Sequence, residues 1–149
     1  MPLMWSRSLE TGIREIDLQH QELLEIGNEV ERRARDGGLD EAVRTLLPRL
    51  ASYVLFHFAT EERLVSGLPG AAAHLAAHVA EHRAFADRVG ALREGSPGVQ
   101  ELLDFVDYLH GWLAGHICHA DRELAALVRK AQGERAASRL AHAGDNGVR

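Results

Sequence analysis

Apolar residues recur at three- and four-residue spacing along most of the chain, the period of helices that bury one face. The first such segment runs from about residue 17 to 36, with Leu23, Leu24, Ile26 and Val30 among its apolar positions. Asp17 is its expected N-cap, and Gly37-Gly38 ends it. The second segment spans about 40–65. Leu46, Leu50, Tyr53, Val54, His57, Glu61 and Leu64 form one stripe along it, and Pro48 should kink it or mark a break. A loop with Gly67, Pro69 and Gly70 leads to a third helix over about 71–93. The turn Gly95-Ser96-Pro97-Gly98 leads to a fourth, about 99–130, with Leu102, Val106, Leu109, Leu113, Ile117, Leu124 and Val128 facing inward.

Short connections make consecutive helices antiparallel neighbours. The expected fold is all-α, an up-down-up-down four-helix bundle over residues 1–130. Residues 1–16 read as an extended arm carrying Trp5. Residues 131–149 read as a tail that begins as fraying helix, with residues 144–147 disordered.

Composition narrows the class. A chain of 149 residues suits one domain with a single core. Sparse aromatics and abundant Ala, Leu, Glu and Arg favour helix over sheet. A net charge of −5 without a basic patch argues against a nucleic-acid partner. No apolar stretch approaches the roughly 18 residues of a membrane span, and the N-terminus has no signal-peptide pattern. Cys118 is the only cysteine, so no intrachain disulfide forms, which fits a reducing compartment. The expectation is a soluble, cytoplasmic monomer.

The histidines change the picture. There are nine, and four helical segments contribute in turn: His20, then His57 with Glu61, then His74, His78 and His82, then His116 with Asp121. Imidazoles and carboxylates gathered inside a bundle are what a transition-metal site needs. His57 and Glu61, four apart, project from one face, and that face is the apolar stripe. Taken alone they could be a surface pair, or a buried histidine held by its carboxylate. His78 and His82 repeat the spacing. An inward ionisable group must be paired or bind a metal, since an unsatisfied polar group in a core costs a few kcal/mol. Several such coincidences are harder to sustain than one metal site. His116 and Asp121 are spaced by five, which puts them about 140° apart on an ideal helix. Both reach one centre only if the fourth helix widens to an i→i+5 turn between about Gly115 and Glu123.

These segments resemble the hemerythrin family, in particular its bacterial single-domain members. Trp5, Gly12-Ile13 and Ile16-Asp17-Leu18-Gln19-His20-Gln21-Glu22-Leu23-Leu24 are similar to the family's entry into helix one. His57-Phe58-Ala59-Thr60-Glu61-Glu62-Arg63-Leu64 is similar to its His-Phe-x-x-Glu-Glu signature. Glu81-His82-Arg83-Ala84-Phe85 resembles its third-helix signature, and Trp112-Leu113-Ala114-Gly115-His116-Ile117 with Asp121 its fourth. The resemblance implies two iron ions per chain. His20, His57, His78, His82 and His116 would be terminal ligands, and Glu61 and Asp121 bridging carboxylates beside an oxo or hydroxo bridge. It implies three histidines (His78, His82, His116) on one iron and two (His20, His57) on the other. About eleven of some twelve octahedral positions are then filled. The remaining one, on the two-histidine iron, would take dioxygen.

The third helix leaves an alternative open. Counting from Pro69 selects His74 and His78, whereas the Glu-His-x-x-Phe signature selects His78 and His82. Phe85 stands in its expected place under the second reading, which is favoured. The unused histidine then lies just outside the ligands or at the bundle end. His110 and His142 are expected to face solvent, Cys118 to be a small core residue, and Trp5 and Trp112 to pack.

The implied function is reversible dioxygen binding for storage, delivery to an oxygen-using enzyme, or sensing with a signalling partner. The alternatives are a di-iron oxidase or peroxidase, including nitric oxide reactions, and a metal-stabilised interaction module. The chain has no Glu-x-x-His, the ligand motif of ferritin-like oxidases, and no His-Glu-x-x-His. Binding is therefore favoured over turnover.

Overall fold

The structure, a computed structural model, describes residues 3–145. Four helical rods form an antiparallel bundle, and no strand occurs among the described residues. The first rod is α1 (Arg14–Arg35). The second is α2 (Leu39–Glu41), a wide π-type turn at Ala42–Leu46, and α3 (Leu47–Val65). The third is α4 (Ala72–Glu94). The fourth is α5 (Val99–His116), a second wide turn at Ile117–Asp121, and α6 (Arg122–Asp145).

Helix α1 begins three residues before the expected N-cap, so the arm ends at Ile13. Asp17 lies inside the helix and works backward. Its Oδ1 accepts the Thr11 N–H (2.8 Å) and the Thr11 hydroxyl (2.7 Å), and its Oδ2 accepts the Gly12 N–H (3.2 Å). It pins the arm rather than capping the helix. Arg129 donates to the Thr11 carbonyl (2.9 Å) and Arg122 to the Ser8 carbonyl, strapping the arm to α6. Helix α1 ends where Gly37 turns to φ +83°, a conformation that costs a residue with a Cβ.

Pro48 opens α3 rather than breaking the second rod. Proline has no N–H to give the carbonyl one turn before it. The chain accommodates this with the wide turn, in which the Leu47 N–H bonds the Ala42 carbonyl, five residues back. The fourth rod runs on to Asp145, so Gly144 and Asp145 are helical rather than disordered, and Gly147 lies outside the described residues.

The apolar interior is in two parts. The larger joins Leu23, Val30, Leu50, Val54, Phe85, Leu102, Val106 and Leu109, among others. The smaller, toward one end, joins Ile16, Val65, Ala71, Leu124 and Val128. Ile16, Val65 and Leu124 lie four, four and three residues from His20, Glu61 and Asp121 on their own rods, so the polar cluster sits about one helical turn from the smaller core.

Candidate metal centre

Each expected ligand faces the bundle axis. His20 comes from α1, His57 and Glu61 from α3, His78 and His82 from α4, His116 from the end of α5, and Asp121 from the end of the second wide turn. All seven are buried, and His20, Glu61 and Asp121 are 0% exposed. The expected widening of the fourth helix is present at Ile117–Asp121 and carries Asp121 back onto the face of His116.

The two carboxylates divide the cluster. Glu61 Oε1 lies 3.3 Å from His20 Nε2 and 2.7 Å from His57 Nε2. Its Oε2 lies 3.1 Å from His78 Nε2, 3.0 Å from His82 Nε2 and 4.0 Å from His116 Nε2. Asp121 Oδ2 lies 3.0 Å from His20 Nε2, while its Oδ1 lies 3.1 Å from His78 Nε2 and 3.2 Å from His116 Nε2. Each carboxylate thus turns one oxygen to each half. Glu61, His78, His82 and His116 make one group able to hold a metal ion, and His20, His57, Glu61 and Asp121 another.

The donor set fits cations better than it fits itself. His116 Nε2 stands 2.9 Å from His78 Nε2 and 3.2 Å from His82 Nε2. His57 Nε2 and both Asp121 oxygens are buried without a hydrogen bond of good geometry, despite these close approaches. Orphaned buried polar atoms are costly. Ligands about 2.1 Å from one metal and at right angles lie about 3 Å apart, the separation these atoms show.

The outward nitrogens explain why Nε2 faces in. The Nδ1–H of His57 donates to Gln19 Oε1 (2.8 Å), that of His116 to Glu81 Oε2 (2.8 Å), and that of His82 to Glu62 Oε1 (3.3 Å). These acceptors cannot donate, so they fix the tautomer and leave the Nε2 lone pair to the centre. Gln19 is itself held by its amide donating to the Thr60 hydroxyl (3.2 Å). Gln19, Glu62 and Glu81 are each adjacent in sequence to a cluster residue, yet each serves a histidine on another helix. Sequence reasoning missed them for that reason. Phe58 stacks on His82 (3.7 Å between ring centres) and Trp112 on His116 (4.4 Å), which fixes the ring planes.

Protons and charge are strongly coupled here. Burial would lower the pKa of His20 and of His78, but Asp121 and Glu61 outweigh it and push both up to about 9. For His57 burial wins over Glu61 and the pKa falls. Burial likewise opposes ionisation of the carboxylates, yet the histidines around them hold Glu61 and Asp121 well below the usual carboxylate range. Both carboxylates are anionic at neutral pH.

The remaining expectations fall both ways, with His74 left over as favoured and His110 and Cys118 misplaced. His74 is not drawn into either group, and its Nε2 lies 3.0 Å from His78 Nδ1. His110 is buried, not solvent-facing, beside Gly27 of α1, where the absence of a side chain lets α1 come close against Leu109. His142 is exposed, as expected. Cys118 is exposed rather than in the core, one residue past buried Ile117 and about 100° around the helix from it. Trp5 and Trp112 do pack against the larger core.

Comparison with known proteins agrees with the geometry. Residues 11–128 match the Hemerythrin HHE cation binding domain. The chain is 31% identical over 133 residues to a Bacteriohemerythrin of Pseudomonas aeruginosa, covering 89% of this chain and 85% of the relative. It is 31% identical over 130 residues to one of Stenotrophomonas maltophilia, covering 85% and 82% respectively. No helix among the described residues is long and apolar enough to cross a membrane. A cation-binding four-helix bundle that spreads its histidines over every rod and shares two carboxylates between the halves is, on sequence and structure alike, a member of the hemerythrin family.

Proposed function

We propose that this chain binds dioxygen reversibly at a pair of iron ions. The observation that carries the reading is the division of Glu61 and Asp121, each with one oxygen toward the His20 side and the other toward the His78 and His116 side. His78, His82 and His116 would hold one iron, His20 and His57 the other, with Glu61 and Asp121 bridging beside an oxo or hydroxo group. The iron pair supplies the redox and ligand-exchange chemistry on which dioxygen binding depends.

The protein's part is placement and exclusion. Gln19, Glu62 and Glu81 keep the Nε2 lone pairs aimed inward and the imidazoles basic. Phe58 and Trp112 fix the ring planes. Ile16, Val65 and Leu124, all at most 1% exposed, close the end of the cluster beside His20, Glu61 and Asp121 against water. A near-saturated, histidine-rich ligand set favours binding over turnover, so the protein acts as a carrier, store or sensor rather than an enzyme. It would work as a cytoplasmic monomer, serving an oxygen-using enzyme or a signalling partner.

The test is a spectrum of purified, iron-loaded protein without air, then in air, then without air again. A charge-transfer band that appears with oxygen and reverses, at two irons per chain, supports the reading. A band that never appears, or iron well below that stoichiometry, overturns it.

A further inference from the structure

His78 differs from His57, His82 and His116 in what holds its outer nitrogen, and from His20, whose Nδ1 is buried without a hydrogen-bond partner. His57, His82 and His116 each donate Nδ1–H to a carboxylate or amide oxygen. His78 Nδ1 instead meets another imidazole, His74 Nε2, at 3.0 Å. The far nitrogen of His74, Nδ1, lies 3.5 Å from Glu123 Oε2. That contact is an ion-pair approach rather than a hydrogen bond; it favours a proton on His74 Nδ1, which leaves the Nε2 lone pair for His78. The side chain of His74 is 7% exposed and that of Glu123 is 67% exposed. Both line a surface cavity of about 410 Å³ whose wall also includes His78. A chain of three groups therefore runs from solvent to the cluster: carboxylate, imidazole, imidazole.

We infer that His74, oriented by Glu123, is a positioning residue that fixes the tautomer and ring direction of His78 and tunes the three-histidine half of the centre from the surface cavity. As a statement about bound metal this rests on the proposed di-iron reading. As a statement about His78 it rests on the geometry alone. The physical basis is that an acceptor on the outer nitrogen fixes a ligating imidazole and raises its basicity. A neutral imidazole accepts less strongly than a carboxylate, and Glu123 restores part of the difference by polarising His74. The consequence is asymmetry. His82 and His116 are backed directly by Glu62 and Glu81, while His78 is backed through a relay whose outer end meets water.

The variants are His74→Leu, which removes the acceptor, His74→Gln, which keeps one, and the surface change Glu123→Gln. The first readout is the long-range 1H–15N histidine spectrum of metal-free protein, which shows whether His78 Nδ1–H is hydrogen-bonded. That bond should be present in wild type and His74→Gln and absent in His74→Leu. The second is metal release from loaded protein to a chelator. His74→Leu should release one of its two metals about 10- to 100-fold faster than wild type. His74→Gln should lie near wild type, and Glu123→Gln between the two. An unchanged His78 signal and release rate in His74→Leu would overturn the inference. So would a His74→Gln variant no better than His74→Leu, which would mark a packing role only. Wild-type protein that holds no metal pair would sink the proposed function, and the His78 signal would then decide the positioning role alone.

Discussion

Asp121 follows His116 by five residues, yet its Oδ1 lies 3.2 Å from His116 Nε2. An unbroken α-helix would point the two about 140° apart. The wide turn at Ile117–Asp121 resolves the conflict by holding one residue more than a regular turn needs.

That geometry makes an unusual deletion tolerable. Removing exposed Cys118 takes out the extra residue and leaves Asp121 four positions after His116, on the same face of a regular helix. The variant should keep its helicity and metal content. Deleting Ala126, about two turns later, rotates the rest of α6 by about 100° and should lower the melting temperature sharply. Circular dichroism and metal analysis of both deletions check this. Metal loss in the Cys118 deletion, with the fold intact, would show that the turn itself shapes the centre.

Glu61 approaches four histidines within 3.3 Å, more than any other group of the cluster. Glu61→Ala should therefore empty both halves, whereas His57→Ala should weaken mainly one. Metal stoichiometry after desalting separates these outcomes. Full metal content in Glu61→Ala would refute the shared role.

The third-helix histidines should behave unequally. His82 Nε2 stands 3.0 Å from Glu61 Oε2, so His82→Leu should lose metal outright. His74→Leu should still load both metals and differ only in how fast it gives one up. The opposite result would restore the count from Pro69.

His110 supplies a test of pH dependence away from the centre. Burial lowers its pKa below 6.5, against the pull of Glu31 and Asp107. The unfolded chain therefore takes up this proton at higher pH than the folded one. The stability contributed by neutral His110 is full above about pH 6.5 and is lost as pH falls through the folded value. Denaturant unfolding of wild type and His110→Leu between about pH 7.5 and 5 should show the shallower decline in the variant. Parallel curves would show that His110 does not titrate differently on folding.

The features legible in sequence were those set by spacing along one helix. His57 with Glu61 and His78 with His82 reveal themselves at i,i+4, and the wide turn follows from asking His116 and Asp121 to share a centre. What stayed hidden depends on a second helix. Nothing near His57 shows that Gln19 will hold it, nor near His116 that Glu81 will. The close approach of α1 that buries this stretch of α5 is likewise invisible along one helix: a Cβ on Gly27 would stand 2.8 Å from Leu109 Cδ2, and His110 lies beside it. Cys118 was misplaced because it was read by residue type, as a small apolar side chain; its position, one residue after inward-facing Ile117 and five after Leu113, already turns it off the inward face. Asp17 was read by its position as a cap, while its partners lie in the arm.

The division of the apolar interior bears on how the molecule comes apart. Ile16, Val65, Ala71, Leu124 and Val128 form a small oily plug whose link to the main core runs through ionised and polar side chains. A few aliphatic groups and the strapped arm give that end little cohesion of its own. With cations bound, ligands from all four rods tie the plug to the rest. Without them, this end is the natural first place to open, as a local unit rather than with the whole bundle. Metal occupancy then governs the lifetime of one end of the protein, and amide exchange there becomes a gauge of loading that needs no chromophore.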